Sequence, residues 1–172
     1  EIYMFGAFTG MFLIRTGVPF PLAFLLAMGA AALLGIMIER IAYRPLRRSP
    51  RITALISAIG MSILLQNLAI LLLGPQTDPF PKPFAVSVFK IAEIPSYPNA
   101  LTVQINSLQI FIMLISFALM LGLHFLVQKT KIGKAMRATA QDKETSSLMG
   151  INVNNVISVT FAIGSALGAA AG

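Results

Sequence analysis

The sequence contains no cysteine, one histidine and only six acidic residues among its 172. Without a thiol there is no disulfide framework, no thiol catalysis and no Cys-ligated zinc or iron–sulfur centre. Charge of either sign is scarce, at 11% of residues against roughly a quarter in an ordinary soluble domain. So few charges cannot cover a globular surface of this size, which removes the soluble reading. Catalytic signatures are missing too. No HExxH, GxSxG or CxxC occurs, and no pair of carboxylates sits in an apolar setting. There is no GxxxxGK[ST] phosphate loop, so nucleotide hydrolysis, if it drives this protein, is expected in another polypeptide.

What is present is apolar. Hydrophobic residues make up 56% of the chain, and the charges are spaced far apart. There are 23 uncharged residues between Arg15 and Glu39 and 26 between Arg51 and Asp78. After Glu93 no formal charge appears until Lys129, and after Glu144 none appears at all. Runs of this length exceed the ~18 apolar residues that mark a membrane-spanning helix. The expected fold is an all-α polytopic membrane protein with about five hydrophobic segments: Ile2–Ile14, Pro19–Ile38, Ile52–Leu73, Leu108–Val127 and Val156 onward. The first is short and the last is still apolar at Gly172, so the chain is expected to be an internal piece of a longer protein, one transmembrane domain incomplete at both ends.

The net charge of +7 is a topology signal. Arg40, Arg44, Arg47, Arg48 and Arg51 fall between spans two and three, and Lys129, Lys131, Lys134, Arg137 and Lys143 between spans four and five. The positive-inside rule makes both loops cytoplasmic and puts the loop at 74–107 on the outer, periplasmic side. Basic residues confined between apolar runs do not form a phosphate-binding stripe, so nucleic acid is not an expected partner and the lipid bilayer is. The Glu39–Arg51 cluster is expected to anchor a helix end at anionic lipid. Six of the ten prolines lie in the outer loop, which prevents a long helix there. The alternating runs Phe84–Phe89 and Leu101–Ile105 predict a small β-hairpin over the outer mouth.

Two stripes of small residues, Ala23, Ala27, Ala31, Gly35 and Gly164, Gly168, Gly172, predict close helix packing in lipid. Polar residues inside spans are few. Ser62 and Gln66 share a helical face with Asn67 beside it, and the three are candidate translocation-path residues or interhelical hydrogen-bonding groups. No Asp, Glu, Lys or Arg is expected within the spans. Residues 131–140 carry apolar or small side chains at Ile132, Ala135, Met136, Thr139 and Ala140, a helical spacing with basic residues opposite, and Gly150 is placed as a helix stop. Such a helix suits either a lipid surface or a soluble subunit.

Several motifs in order choose between these. Ile38-Glu-Arg-Ile-Ala-Tyr-Arg-Pro-Leu-Arg47, Leu55-Ile-Ser-Ala-Ile-Gly-Met-Ser-Ile-Leu-Leu-Gln-Asn67, Gly133-Lys-Ala-Met-Arg-Ala-Thr-Ala-Gln-Asp142 and Leu148-Met-Gly-Ile-Asn152 together resemble the permease subunits of ABC importers for branched-chain amino acids. The resemblance runs from Glu1-Ile-Tyr-Met-Phe-Gly-Ala7 to the Ala/Gly-rich end. It implies a transport subunit, not an enzyme, with no cofactor of its own, since ATP is used by partner subunits. The implied partners are a second permease, two cytoplasmic ATPases and a periplasmic solute-binding protein in the bacterial inner membrane. Residues 128–155 become the cytoplasmic coupling loop, in which Gly133, Arg137, Asp142, Leu148, Gly150 and Asn152 are the expected ATPase-coupling residues. Lys131–Asn152 would move as one rigid lever bounded by Gly133 and Gly150, with Arg137 and Asp142 contacting the ATPase. Thr145 and Ser146 stand where the family pattern leads one to expect alanines. Permeases for urea or short amides look similar, and an ATP-independent transporter or channel and a non-transporting scaffold are the rival classes.

Overall fold

A backbone in hydrocarbon must satisfy its own hydrogen bonds, so each long apolar run is forced into a helix. The computed structural model follows this rule across the residues it describes, which are 1–74, 88–93 and 102–172. The helices are α1 (Ile2–Arg15), α2 (Phe20–Ile38), α3 (Arg51–Leu73), α4 (Ser107–Lys129), α5 (Lys131–Gln141), α6 (Lys143–Leu148) and α7 (Val153–Ala171), with strands β1 (Val88–Glu93) and β2 (Thr102–Asn106). Four helical segments are long and apolar enough to cross a membrane: Phe20–Tyr43, Ile52–Leu72, Ser107–Lys129 and Val153–Ala171. The shorter apolar helix Ile2–Arg15 accompanies them.

The chain forms two units, Glu1–Pro81 with Lys131–Gly172, and Lys82–Thr130. The core of the first unit is made by α1, α2 and α7. Ala23, Ala27, Ala31 and Gly35 of α2 are all buried, so the first small-residue stripe is the packed face of that helix. The second stripe holds in part. A Cβ on Gly172 would run into the Tyr3 carbonyl and one on Gly168 would touch Ile2 at 3.6 Å, whereas Gly164 is exposed and has nothing within 4 Å of where a Cβ would stand; the buried residues of α7 are Ser165 and Ala169. Neighbouring residues of α7 are small on both registers, so sequence spacing could not choose between them.

Contact in this core is close enough to exclude side chains. A Cβ on Gly6 would lie 2.5 Å from the Cα of Ala169, and one on Gly35 would lie 2.7 Å from the Cβ of Ser165 and 3.0 Å from the Phe161 carbonyl oxygen. Dispersion between backbones that approach this far replaces the hydrophobic drive that lipid cannot supply. In contrast α3 buries none of its span, and Leu55, Ile56, Ile59, Ile63, Leu64 and Leu71 are exposed along it.

In the second unit β1 and β2 pair antiparallel, with Val88 opposite Asn106 and Glu93 opposite Thr102, and the register slips between Lys90 and Ala92. The expected run Phe84–Phe89 meets β1 at Val88 and Phe89, and its other residues lie outside the described residues. Asn106 ends β2 and caps α4, its backbone N–H donating to Gln109 Oε1 at 3.1 Å, half of a capping box.

Candidate functional site

The end of α2 departs from a regular helix. Glu39–Tyr43 form one π turn, closed by the Arg44 N–H donating to the Glu39 carbonyl oxygen at 2.8 Å. Pro45, which has no N–H, then opens a 3-10 turn over Pro45–Arg48. The extra residue of a π turn reorients the chain beyond it, and such turns concentrate at functional sites. Here the Tyr43 ring stands 5.2 Å from that of Phe161 on α7.

Glu39 itself is completely buried. Its Oε2 accepts from the Ser158 hydroxyl at 2.6 Å, and its Oε1 takes an ion pair from the Arg47 guanidinium. Another nitrogen of Arg47 donates to Asn154 Oδ1 in the first turn of α7. Arg47 therefore joins the end of α2 to the start of α7. Burying a carboxylate is costly unless it is paired and hydrogen-bonded, and here it is both. This corrects two expectations. The candidate span Phe20–Tyr43 contains an acid, and Glu39 and Arg47 bond to protein instead of serving only as a lipid anchor. The available sequence signal is a single Glu at the border of an apolar run, followed by a cluster of arginines, a pattern that surface charge produces equally well.

Between the spans, residues 131–152 form two helices, α5 and α6. Asp142 breaks them, with extended backbone angles (φ −153°, ψ 117°) and a side chain that caps α6. Asp142 Oδ1 accepts from the backbone N–H groups of Glu144 at 2.9 Å and Thr145 at 3.3 Å, while the Thr145 hydroxyl donates to Oδ2. These bonds favour the charged form and hold the Asp142 carboxyl below its usual pKa, the Thr145 hydroxyl contributing most. Thr145 thus has a local function where alanine would have none. Its neighbour Ser146 is buried.

Gly150 ends α6 with φ +84°. Its N–H donates to the Ser147 carbonyl at 3.1 Å, and the Ile151 N–H reaches back to that of Ser146 at 3.0 Å. This is the Schellman pattern, which places a left-handed residue at the position after the cap and favours glycine there. Asn152 caps α7, its Oδ1 accepting the Asn155 N–H at 3.2 Å. Gly133 does not bound the segment. It lies inside α5 and is buried, as is Thr139. Arg137 is exposed on α5, and Leu148 and Met149 are exposed by 88% and 79% at the end of α6. Lys143, Glu144, Ser147, Gly150 and the first residues of α7 line a cleft of about 480 Å3.

The three polar residues of α3 separate. Ser62 Oγ donates to Glu1 Oε1 at 2.5 Å, and Gln66 Nε2 donates to the same oxygen at 2.8 Å. Asn67 turns back to its own helix, donating to the Ile63 carbonyl at 2.7 Å. A carboxylate therefore stands beside the middle of α3, where the pattern of apolar runs leads one to expect no charge.

Apolar helices of spanning length, with a capped helical pair between two of them, define a multi-pass membrane protein. The chain belongs to the family of permease components of branched-chain amino acid transport systems, which its residues 1–172 match throughout. It is 39% identical over 171 residues to the high-affinity branched-chain amino acid transport system permease protein LivH of Escherichia coli (strain K12), covering 99% of this chain and 52% of that protein. To LivH of Salmonella typhimurium it is 36% identical over 181 residues, covering 100% and 57%. To the corresponding permease protein BraD of Pseudomonas aeruginosa it is 38% identical over 180 residues, covering 99% and 57%. The chain thus spans about half the length of these curated relatives. No solved structure matches it.

Proposed function

We propose that this chain is part of a permease subunit of an ATP-binding-cassette importer that moves branched-chain amino acids across the bacterial inner membrane. The observation that carries the reading is the capped pair α5–α6, set between two candidate spans and ending in exposed Leu148 and Met149, in a chain of this family. An apolar tip held by a Schellman stop and an N-cap is a rigid surface, and an exposed apolar tip beside charged residues suits a groove on a soluble partner. Separate ATPase subunits would hold that groove, with the basic loops on the cytoplasmic side and residues 74–107 facing the periplasmic solute-binding protein. A second permease subunit would complete the pathway.

Arg137 and Leu148 meet the ATPase in this scheme, while Gly150 and Asn152 fix the exit from α6 into α7. Asp142 acts within the loop, holding α6 at a set angle to α5. Motion of the pair passes directly into α7, which begins at Val153. From Asn154 and Ser158 it passes through Arg47 and Glu39 to α2.

Reconstitution of the transporter containing this chain with its ATPases and binding protein tests the reading. ATP-dependent uptake of L-leucine, absent when the ATPase subunits are left out, is expected. Leucine flux without ATPases would make it a secondary transporter or channel. Uptake of urea or a short amide in place of leucine would assign the other branch of the family.

A further inference from the structure

Ser62 stands at the midpoint of the 23-residue helix Arg51–Leu73, about 17 Å from either end at 1.5 Å per residue. The Glu1 carboxylate bonded to it therefore lies near half depth of a ~30 Å hydrocarbon core. An ionised group at that depth is expensive and is found facing a bundle interior or a wet pathway, not lipid. Its partners here are unusual for a structural pair. Ser62 and Gln66 are neutral donors, both directed at Oε1, and among the described residues no Lys or Arg side chain pairs with it. Glu39 shows the contrast: that carboxylate is enclosed, bonded through both oxygens, and its charge is matched by Arg47.

We propose that Glu1, Ser62 and Gln66 form a subsite that receives the ammonium group of the amino-acid solute as it crosses the membrane, a proposal that rests on the importer reading. An ammonium brings three donors and no acceptor. The Glu1 carboxylate, the Ser62 hydroxyl and the Gln66 amide, brought together from two segments of the chain, each carry an acceptor oxygen. On the same face of α3, exposed Ile59 and Ile70 flank the polar pair by one turn on each side. They offer aliphatic surface to a branched side chain. A carboxylate at this position favours the zwitterionic amino acid over its keto acid, and over neutral amides of the same size.

The chain has no cysteine, so Ser62→Cys in the assembled transporter provides one reporting thiol at the site. A cationic methanethiosulfonate is expected to modify it at least tenfold faster than an anionic one. L-Leucine should slow the reaction, and its keto acid should not. Adding Glu1→Gln should remove the charge preference and, in the otherwise unaltered transporter, cut leucine uptake at least tenfold. Equal rates for the two reagents, or a preference that survives Glu1→Gln, would overturn the subsite. ATP-dependent leucine uptake that is unchanged in Glu1→Gln would overturn it as well, and would leave the importer reading standing. Charge-selective modification in a protein that carries no leucine would instead support an ammonium or other cation subsite and remove the importer reading.

Discussion

The Ser158 hydroxyl donates to Glu39 Oε2 at 2.6 Å, joining residues 119 positions apart and tying α7 to the end of α2. With Arg47 on the other oxygen, this fully buried carboxylate is the polar centre of the helix junction next to the proposed coupling segment.

Removing the cation should therefore cost more than removing the charge it serves. Arg47→Ala leaves Glu39 buried with only Ser158, a loss of about 3 kcal/mol, as for a broken buried pair. Glu39→Gln keeps the shape and leaves no buried charge unpaired, because the Arg47 side chain is 23% exposed and reaches water, so a smaller loss is expected. Thermal unfolding in detergent, followed by circular dichroism, compares them. Equal destabilisation would mean that the Glu39 charge does not matter at this junction.

Close helix approach sets a second expectation. Gly35→Ala drives a methyl group into Ser165 and towards the Phe161 carbonyl, an overpacking cost of about 1–3 kcal/mol. Gly29, on the same helix, has nothing within 4 Å of a Cβ. Gly29→Ala should be neutral or stabilising by up to about 1 kcal/mol, since glycine is the poorer helix former. The same unfolding measurement separates the pair.

Gly150 tests the coupling segment. At φ +84° a proline cannot be accommodated, and the N–H bonded to Ser147 would be lost. Gly150→Pro is expected to lower leucine uptake at least tenfold while ATP hydrolysis continues, and Arg137→Glu to do the same through the interface. Gly150→Ala, strained by roughly 1 kcal/mol, should fall between. The ratio of leucine transported to ATP hydrolysed is the readout, and an unchanged ratio in all three would remove this segment from coupling.

Acid should loosen α6 before the spans. The Asp142 carboxyl is held below its usual value by Thr145 and the helix N–H groups. A depressed carboxylate pKa contributes stability that is present above the unfolded value, about 3.9 for Asp, and is lost as pH falls through the folded one. Amide exchange at Glu144 and Thr145 is expected to stay slow down to about pH 4 and to accelerate below it. Asp142→Asn, which keeps an acceptor but does not titrate, should flatten that change.

Much of the architecture is readable from the chain. The five apolar runs become α1, α2, α3, α4 and α7 with ends displaced by three residues or fewer where the described helices begin, because lipid leaves an apolar run no alternative to a helix. Gly150 is legible as a stop because only a residue free to adopt positive φ ends a helix in that way. The Ala23–Gly35 stripe is legible because its spacing is strict. The π turn after Ile38 is not, since residues 39–43 carry no local breaker. Nor is the break at Asp142, whose side chain could equally have faced outward. Thr145 and Ser146 are a cap partner and a buried residue.

Sequence alone determined that the chain lives in a membrane, how it is divided into helices and which family it belongs to, because charge spacing and hydropathy act locally and in one dimension. Only the tertiary structure decided what three of the six acids do. Glu39 is enclosed by Arg47 and Ser158, Asp142 is consumed as a helix cap, and Glu1 stands against Ser62 and Gln66 with no basic side chain among the described residues to match it. The role of a carboxylate is fixed by the donors and the dielectric around it, and these arrive from residues as far as 119 positions away.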